Sequence, residues 1–307
     1  MRPIVTVTLN PAIDRTAWIG RLEPGATHRT AMSRTAIGGK GINVARTAGQ
    51  LGAPVLALGI AGEDQARRIE QHLEALGIRA RFRAVAGETR NNLKLIEQVD
   101  GRMTEINGTG PAVSAEILDL VAADLFEEVA HARPAVVVLS GSLPGGVPVE
   151  TYARWTRALR ASAPETLTIV DASDEPLTRA IAAGPFLVKP NRVEAEQILG
   201  RPVGDVEDAR RAAAEIGALG PDAVLLSLGA QGAVAALGHA SRAFAAEAIN
   251  ADPERPTTTV GAGDAMVARI AVELARRDAG EPVGPAEFFA ACQLAVEQAA
   301  AHIAGGG

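Results

Sequence analysis

Thr257-Thr-Thr-Val-Gly-Ala-Gly-Asp264-Ala-Met-Val267 changes character twice within a short span. A β-branched run gives way to Gly-Ala-Gly, and then to a lone acid that opens an apolar helical segment. A strand turning through glycines into a helix exposes several backbone N–H groups at the helix N-terminus, where the helix dipole also favours negative charge. Gly261, Ala262 and Gly263 therefore read as an anion hole. Asp264 beside them is placed to take a proton from a hydroxyl as it attacks a phosphoryl group. That reading predicts a small-molecule phosphotransferase with Asp264 as general base. The alternative is a plain helix N-cap, a position that Asp favours.

Working outward, the same strand-to-helix rhythm runs along most of the chain. Residues 4–9, 55–60, 135–139, 166–170, 186–188 and 223–228 read as short buried strands. Helical patterns cover residues 40–51, 64–76, 263–277 and 285–303, and glycines such as Gly52 and Gly77 close the first two. Strands alternating with helices predict an α/β fold, a doubly wound and mostly parallel sheet with helices on both faces. Ligands of such sheets bind at the carboxyl ends of the strands. The polar residues that stand out sit there: Asn10, Asp14, Ser140, Ser142, Asp171, Lys189, Asn191 and Ser227.

One region departs from the rhythm. Residues 80–85, 93–99 and 103–106 alternate in polarity, with turn chemistry at Gly87 and Asp100-Gly101, and Asp-Gly between alternating runs signals a hairpin. Trp18 and residues 27–35 also read as strand. Segments of about 15–36 and 78–107 are therefore expected to form a small β-sheet lid on a single domain spanning 1–307.

The composition bounds the partners. The chain has 307 residues, 47% hydrophobic and 21% charged, with net charge −6. A soluble globular protein follows. Nucleic acid is not expected as a partner, because its phosphates need clustered Lys and Arg. Cys292 is the single cysteine, so no intrachain disulfide or thiolate cluster can form, and a reducing, cytoplasmic setting fits. No signal peptide reads from residues 2–9, and no run of about 18 apolar residues suggests a membrane span. His28, His72, His131, His239 and His302 show no metal-ligand spacing and read as structural or surface residues.

Each remaining motif has two readings. Gly38-Gly39-Lys40-Gly41-Ile-Asn43 is either a tight turn into a helix or a loop that lets backbone approach a ligand, with Lys40 as a mobile charge. It is neither a Walker A loop nor a dinucleotide fingerprint, since Val44 holds the third glycine position. Asp14 in Asn10-Pro-Ala-Ile-Asp14 either accepts hydroxyls of a sugar or ends a strand in an Asx-turn. Arg90 in Thr89-Arg90-Asn91-Asn92-Leu-Lys94 suits bidentate phosphate recognition or a solvated strand end. Ser142 in Ser140-Gly-Ser-Leu-Pro144 offers a hydroxyl donor, but the segment is not a Gly-x-Ser-x-Gly elbow. Asn191 and Glu194, three apart at a helix start, either hold Mg²⁺ directly or through water, or form an N-cap. Ser227-Leu-Gly229-Ala-Gln-Gly232 either cradles a nucleotide or is only a hairpin.

Taken in this order, the segments resemble the ribokinase-type (PfkB) carbohydrate kinase family. Gly38-Gly-Lys-Gly-Ile-Asn43-Val-Ala and Thr259-Val-Gly-Ala-Gly-Asp264 are similar to its two signatures. Thr6-Val-Thr-Leu-Asn-Pro-Ala-Ile-Asp14, residues 89–94 and Gly141-Ser-Leu-Pro144 resemble its hexose-phosphate kinase branch, and residues 94–107 look most like members that use fructose 1-phosphate. The resemblance runs from residue 4 to about 300. It implies MgATP as phosphoryl donor, a β-sheet lid that clasps a homodimer, and K⁺ as a further ion. It also implies roles. Asp264 would be the base, with Gly261, Ala262 and Gly263 around the transferring group. Asp14, Gly39, Lys40, Asn43, Arg90 and Ser142 would hold the sugar phosphate. Lys189, Asn191, Ser227, Gly229 and Gly232 would hold the nucleotide, and Asn191 and Glu194 the metal. Fructose 1-phosphate is the first expected acceptor, then tagatose 6-phosphate, then fructose 6-phosphate. Ala265 and Arg269 stand where the family has Ser and Gly. The chain also ends at Gly305-Gly-Gly307, where relatives continue toward the adenine and potassium sites. These departures motivate a rival reading, a catalytically weak sugar-phosphate-binding or regulatory protein. A dehydrogenase is a weaker rival, for want of a complete fingerprint.

Overall fold

The computed structural model describes residues 1–30, 32–246 and 260–304. Thirteen strands and nine α-helices are assigned within them. The chain opens with β1 (Ile4–Thr8), β2 (Ala12–Ile19) and β3 (Met32–Gly38). It continues through α1 (Lys40–Gln50), β4 (Val55–Gly62), α2 (Glu63–Glu74), β5 (Arg79–Val85), β6 (Arg90–Glu97) and β7 (Met103–Asn107). The middle runs α3 (Ala115–Ala132), β8 (Val136–Ser140), α4 (Thr151–Ser162), β9 (Leu167–Asp171), α5 (Asp174–Ile181), β10 (Leu187–Val188) and α6 (Arg192–Leu199). The last third holds α7 (Val206–Gly217), β11 (Ala223–Ser227), β12 (Ala233–Leu237), β13 (Ala240–Phe244), α8 (Ala262–Ala275) and α9 (Pro285–Ala304).

The main sheet has the order β13-β12-β11-β10-β9-β8-β1-β4-β5. Pairing is parallel from β11 through to β5 and antiparallel at β12 and β13. Side chains alternate across the pleat, so the strands feed two cores. Ile4, Val136, Val138, Ile169 and Leu225 face α1, α2, α8 and α9 through Ile42, Ile69, Ile270 and Phe288. Val5, Val7, Val137, Leu139, Val170 and Leu226 face the helices of the other side through Leu125, Leu159, Ala195 and Ile216. This is the expected doubly wound, mostly parallel sheet with helices on both faces.

Strand order reverses at β1. The chain leaves β1 toward β4 and β5 on one side, and later enters β8 on the other. Helices then diverge above the carboxyl ends of β1 and β8 and leave a crevice, where α/β sheets bind their ligands. Thr8, Ser140 and Asp171 form one row across that end, in register as Thr8↔Ser140 and Ser140↔Asp171.

A second sheet of order β3-β2-β6-β7 stands over the crevice. The Asp100-Gly101 hairpin joins β6 to β7 antiparallel, as expected. Two expectations change. Residues 80–85 were expected in the lid, but β5 pairs parallel with β4 as an edge strand of the main sheet. A strand that follows a helix closes a βαβ unit, and its alternating burial reflects one covered face of an edge. The strand expected at residues 27–35 instead starts at Met32 and runs to Gly38, with 27–30 in irregular structure. The expected threonine-rich strand at residues 257–259 lies outside the described residues.

Candidate active site

Gly261 is the N-cap of α8, with φ 84°. That left-handed conformation favours glycine, and glycine supplies no side chain to cap the helix. The amides of residues 261–263 are thereby left for a ligand. His302, from the end of α9, backs this turn: its Nε2 lies 3.0 Å from the Val260 carbonyl oxygen. It was read as structural or surface, and its place against the turn was not legible from spacing.

Asp264 sits on the first turn of α8 and is 7% exposed. Asn43 Nδ2, from the first turn of α1, donates to Asp264 Oδ2 at 2.8 Å. Burial, with the charge of Asp171 adding to it, pushes the Asp264 carboxyl up to about 6; the Asn43 bond and the ammonium groups of Lys40 and Lys189 hold it from going further. A carboxyl near 6 is matched to proton transfer close to neutral pH.

Asp171, fully buried at the carboxyl end of β9, organises the cations. Lys40 Nζ bonds its Oδ1 at 3.0 Å and Lys189 Nζ approaches the same oxygen at 3.4 Å. Burial opposes the Asp171 charge, yet the two lysines outweigh it and keep the carboxyl below the usual range. Burial also works against the Lys40 charge, but Asp171 and Asp264 more than offset it, and its pKa is raised. A Cβ on Gly263 would stand 3.1 Å from Lys189 Nζ, so this ammonium lies directly against the glycine turn. Asp171 was noted at a strand end without a role. An acid following an apolar strand in a parallel sheet was the available signal.

The lid supplies the facing wall of the site. Asp14 lies inside β2 and not in an Asx-turn, and it takes Asn92 Nδ2 at 2.9 Å and Lys94 Nζ at 3.4 Å from β6. Its carboxylate fills the space where Gly38 lacks a side chain. Asp14, Gly38, Asn43, Gly261 and His302 line one cleft between the two sheets. Gly39 caps α1 at the base of this loop. Arg90 and Ser142 lie beside it, Arg90 Nε donating to the Pro11 carbonyl at 3.3 Å and Ser142 Oγ accepting from Asn10 Nδ2 at 3.1 Å.

Across the sheet, Asn191 and Glu194 form a capping box on α6: the Glu194 amide donates to Asn191 Oδ1 at 2.9 Å, and the Asn191 amide to Glu194 Oε2 at 2.8 Å. The cap reading is therefore realised, and Asn191 Oδ1 is engaged in it. Among the described residues, no group of three or more His, Cys, Asp or Glu side chains forms a metal cage. Ser227 ends β11, bridges to Asn191 and donates its amide to the Pro190 carbonyl oxygen at 3.0 Å, which brings the loop that follows it to the start of α6. That loop is also a hairpin, as its second reading had it. Of the two family departures, Ala265 is buried without a polar group, and Arg269 turns along α8 to pair with Glu273 at 3.1 Å. The bulky side chain is mostly buried along the helix against Glu273, and α8 still packs against the core.

A doubly wound sheet with an acid, two ammonium groups and open helix amides at its switch point defines a kinase of small polar acceptors. The family model described as pfkB family carbohydrate kinase matches residues 5–307. The chain belongs to that family and is a phosphotransferase with an alcohol acceptor. It is 40% identical over 276 residues to a 1-phosphofructokinase of Xanthomonas campestris pv. campestris, covering 88% of this chain and 83% of that one. It is 36% identical over 280 residues to the 1-phosphofructokinase of Escherichia coli K12, covering 91% and 86%. Among solved structures, phosphofructokinase-2 of Escherichia coli in complex with potassium superposes with a TM-score of 0.86 at 27% identity, over 100% of this chain and 94% of that one.

Proposed function

We propose that the protein transfers the γ-phosphoryl group of ATP to the free primary hydroxyl of fructose 1-phosphate, giving fructose 1,6-bisphosphate and ADP. The observation that carries this reading is the buried Asp264, held by Asn43 between the glycine turn and the lid. Asp264 accepts the hydroxyl proton. The amides of Gly261, Ala262 and Gly263, with Lys40 and Lys189, stabilise charge on the transferring phosphoryl oxygens. Asp171 keeps both ammonium groups in place. Asp14, Gly39, Lys40, Asn43, Arg90 and Ser142 hold the sugar phosphate. Ser227, Gly229 and Gly232 line the nucleotide side beside Lys189 and Asn191.

Mg²⁺ bound with ATP would neutralise phosphate charge. Such an ion keeps several waters and needs only one or two carboxylates. Buried Glu194 fits that demand through water, while the capping bond of Asn191 favours an indirect role for its oxygen. We also propose K⁺ as an activator, in view of the potassium in the Escherichia coli neighbour.

The named relatives favour the 1-phosphate. Tagatose 6-phosphate is the second reading, because a ketofuranose carries a CH₂O group at each end of its ring. Coupled ADP release over a panel of sugar phosphates, with and without Mg²⁺ and K⁺, tests the proposal. Fructose 1-phosphate is expected to give the highest kcat/KM. Binding of sugar phosphate without ADP release would sink it in favour of the regulatory reading.

No helix among the described residues is long and apolar enough to cross a membrane. We place the enzyme in the cytoplasm, with its substrates. We also propose a homodimer through the lid, whose Met32, Met103 and Ile106 are exposed on edge strands β3 and β7.

A further inference from the structure

His302 stands on the last turn of α9, and its Nε2 lies within hydrogen-bond distance of the Val260 carbonyl oxygen, at 3.0 Å. A carbonyl oxygen only accepts, so Nε2 must carry a ring proton to make this bond. The imidazole also lies against the turn itself: a Cβ on Gly261 would meet Nε2 at 2.8 Å and Cε1 at 3.3 Å. Val260, Gly261 and His302 all line the cleft that Asp14 and Asn43 share.

This contact fixes more than one carbonyl. The C=O and N–H of a trans peptide lie in one plane and point in opposite directions. The Val260 carbonyl and the Gly261 N–H belong to a single such unit. Holding that oxygen against the imidazole therefore turns the Gly261 N–H the other way. The tie between the histidine and the amide is thus covalent geometry. The unit also needs a hold. Gly261 has φ 84°, and glycine takes φ of either sign about as readily, so rotation of this peptide plane meets little resistance from the residue that follows it. No side-chain bond caps the helix here. A flipped plane would put a carbonyl oxygen where the N–H had been, and that oxygen repels a phosphoryl group where an amide attracts it.

We propose that His302 is a positioning residue for phosphoryl transfer: its Nε2–H holds the Val260–Gly261 peptide so that the Gly261 N–H, and not the Val260 oxygen, faces the transferring group. This rests on the kinase reading above and adds what keeps the first amide of the anion hole in its orientation. The bond is formed before any substrate arrives. Donors fixed in advance cost no reorganisation when charge develops on the phosphoryl oxygens. The benefit therefore falls on the transition state, and its loss lowers kcat with little change in KM.

The test compares His302→Leu, which removes the donor, with His302→Gln, whose side-chain amide can reach the same carbonyl. Coupled ADP release is measured with ATP and fructose 1-phosphate. MgADP with fluoroaluminate and fructose 1-phosphate is titrated as a mimic of the group in transfer. His302→Leu is expected to lose about tenfold to a hundredfold in kcat, short of the 10²–10³ for deleting an oxyanion donor outright. Its fluoroaluminate affinity should fall by a similar factor, with KM for ATP and for fructose 1-phosphate near the wild-type values. His302→Gln should recover most of both losses. Nitrogen-15 NMR of the wild-type imidazole above neutral pH should show the proton on Nε2. Equal losses in the two variants, a fluoroaluminate affinity that falls only as far as ATP affinity does, or a ring protonated on Nδ1 alone would overturn the assignment. The ratio of those two affinities within one variant does not depend on how much of the protein is folded. Absence of ADP release by the wild type with any sugar phosphate would defeat the kinase reading as well, whereas the other outcomes defeat the His302 assignment alone.

Discussion

Asp264→Asn separates the chemistry of the candidate base from its effect on stability, and the two should move in opposite directions. The substitution keeps the shape and still offers Asn43 an oxygen to bond. It removes a carboxylate that is 7% exposed and raised from 3.8 to about 6. Because the folded value lies above the unfolded one, the fold favours the protonated form. Stability therefore falls as pH rises from about 4 to about 6, and the whole cost is present at pH 7. At 1.36 kcal/mol per pH unit the rise corresponds to about 3 kcal/mol, an upper bound because Asp171, Lys40 and Lys189 relax when the charge is gone. Asp264→Asn is thus expected to be more stable than wild type by about 1–3 kcal/mol in urea unfolding at pH 7, with the gain vanishing by pH 4. Coupled ADP release should meanwhile fall by about 10²–10⁴, the usual worth of a general base. Wild-type kcat/KM should itself rise with pH through about 6. Near-wild-type turnover in the variant would refute the base assignment. A variant less stable than wild type at pH 7 would refute the claim that an undercompensated carboxylate is buried there.

Four further outcomes follow from this cluster and the elements around it. Asp171→Asn leaves Lys40 and Lys189 without their shared partner, and should cost about 3–5 kcal/mol in urea unfolding, the range for breaking a buried ion pair. Glu194→Gln keeps an oxygen for the Asn191 amide, so melting should be unchanged while the Mg²⁺ concentration for half-maximal rate rises; Asn191→Ala should instead lose about 1 kcal/mol of stability through its cap. Gly232 has φ 90°, and a Cβ there would overlap the Phe244 carbonyl, so Gly232→Ala should raise KM for ATP and spare KM for the sugar phosphate.

Much of the fold was legible because it rests on local signals. Apolar runs such as residues 135–139 and 223–228 can only be buried strands when helical patterns of greater length separate them. Asp100-Gly101 named its hairpin, and the glycines near 38–41 and 261–263 marked the two turns that meet in the cleft. The misplaced β5 shows where local reading fails. Its alternation is the same whether one face packs on a lid or on the edge of a main sheet, and only pairing with β4 decides between them. Asn191 and Glu194 illustrate the same gap: their spacing suits a metal and a capping box equally, and only the folded structure shows that both capping hydrogen bonds form.

Residue types and order were enough to assign a doubly wound kinase fold and to single out Asp264, Asn43, Lys40 and Lys189. Periodicity, glycine turns and helix-start acids act over a few neighbouring residues. The tertiary structure alone decided that Lys40 and Lys189 share Asp171, that Asn43 bonds Asp264, and that His302 backs the glycine turn. These contacts join residues 131, 221 and 42 positions apart for Lys40–Asp171, Asn43–Asp264 and His302–Val260. Burial and charge at such meeting points depend on how helices pack across the sheet, and no stretch of chain carries that information by itself.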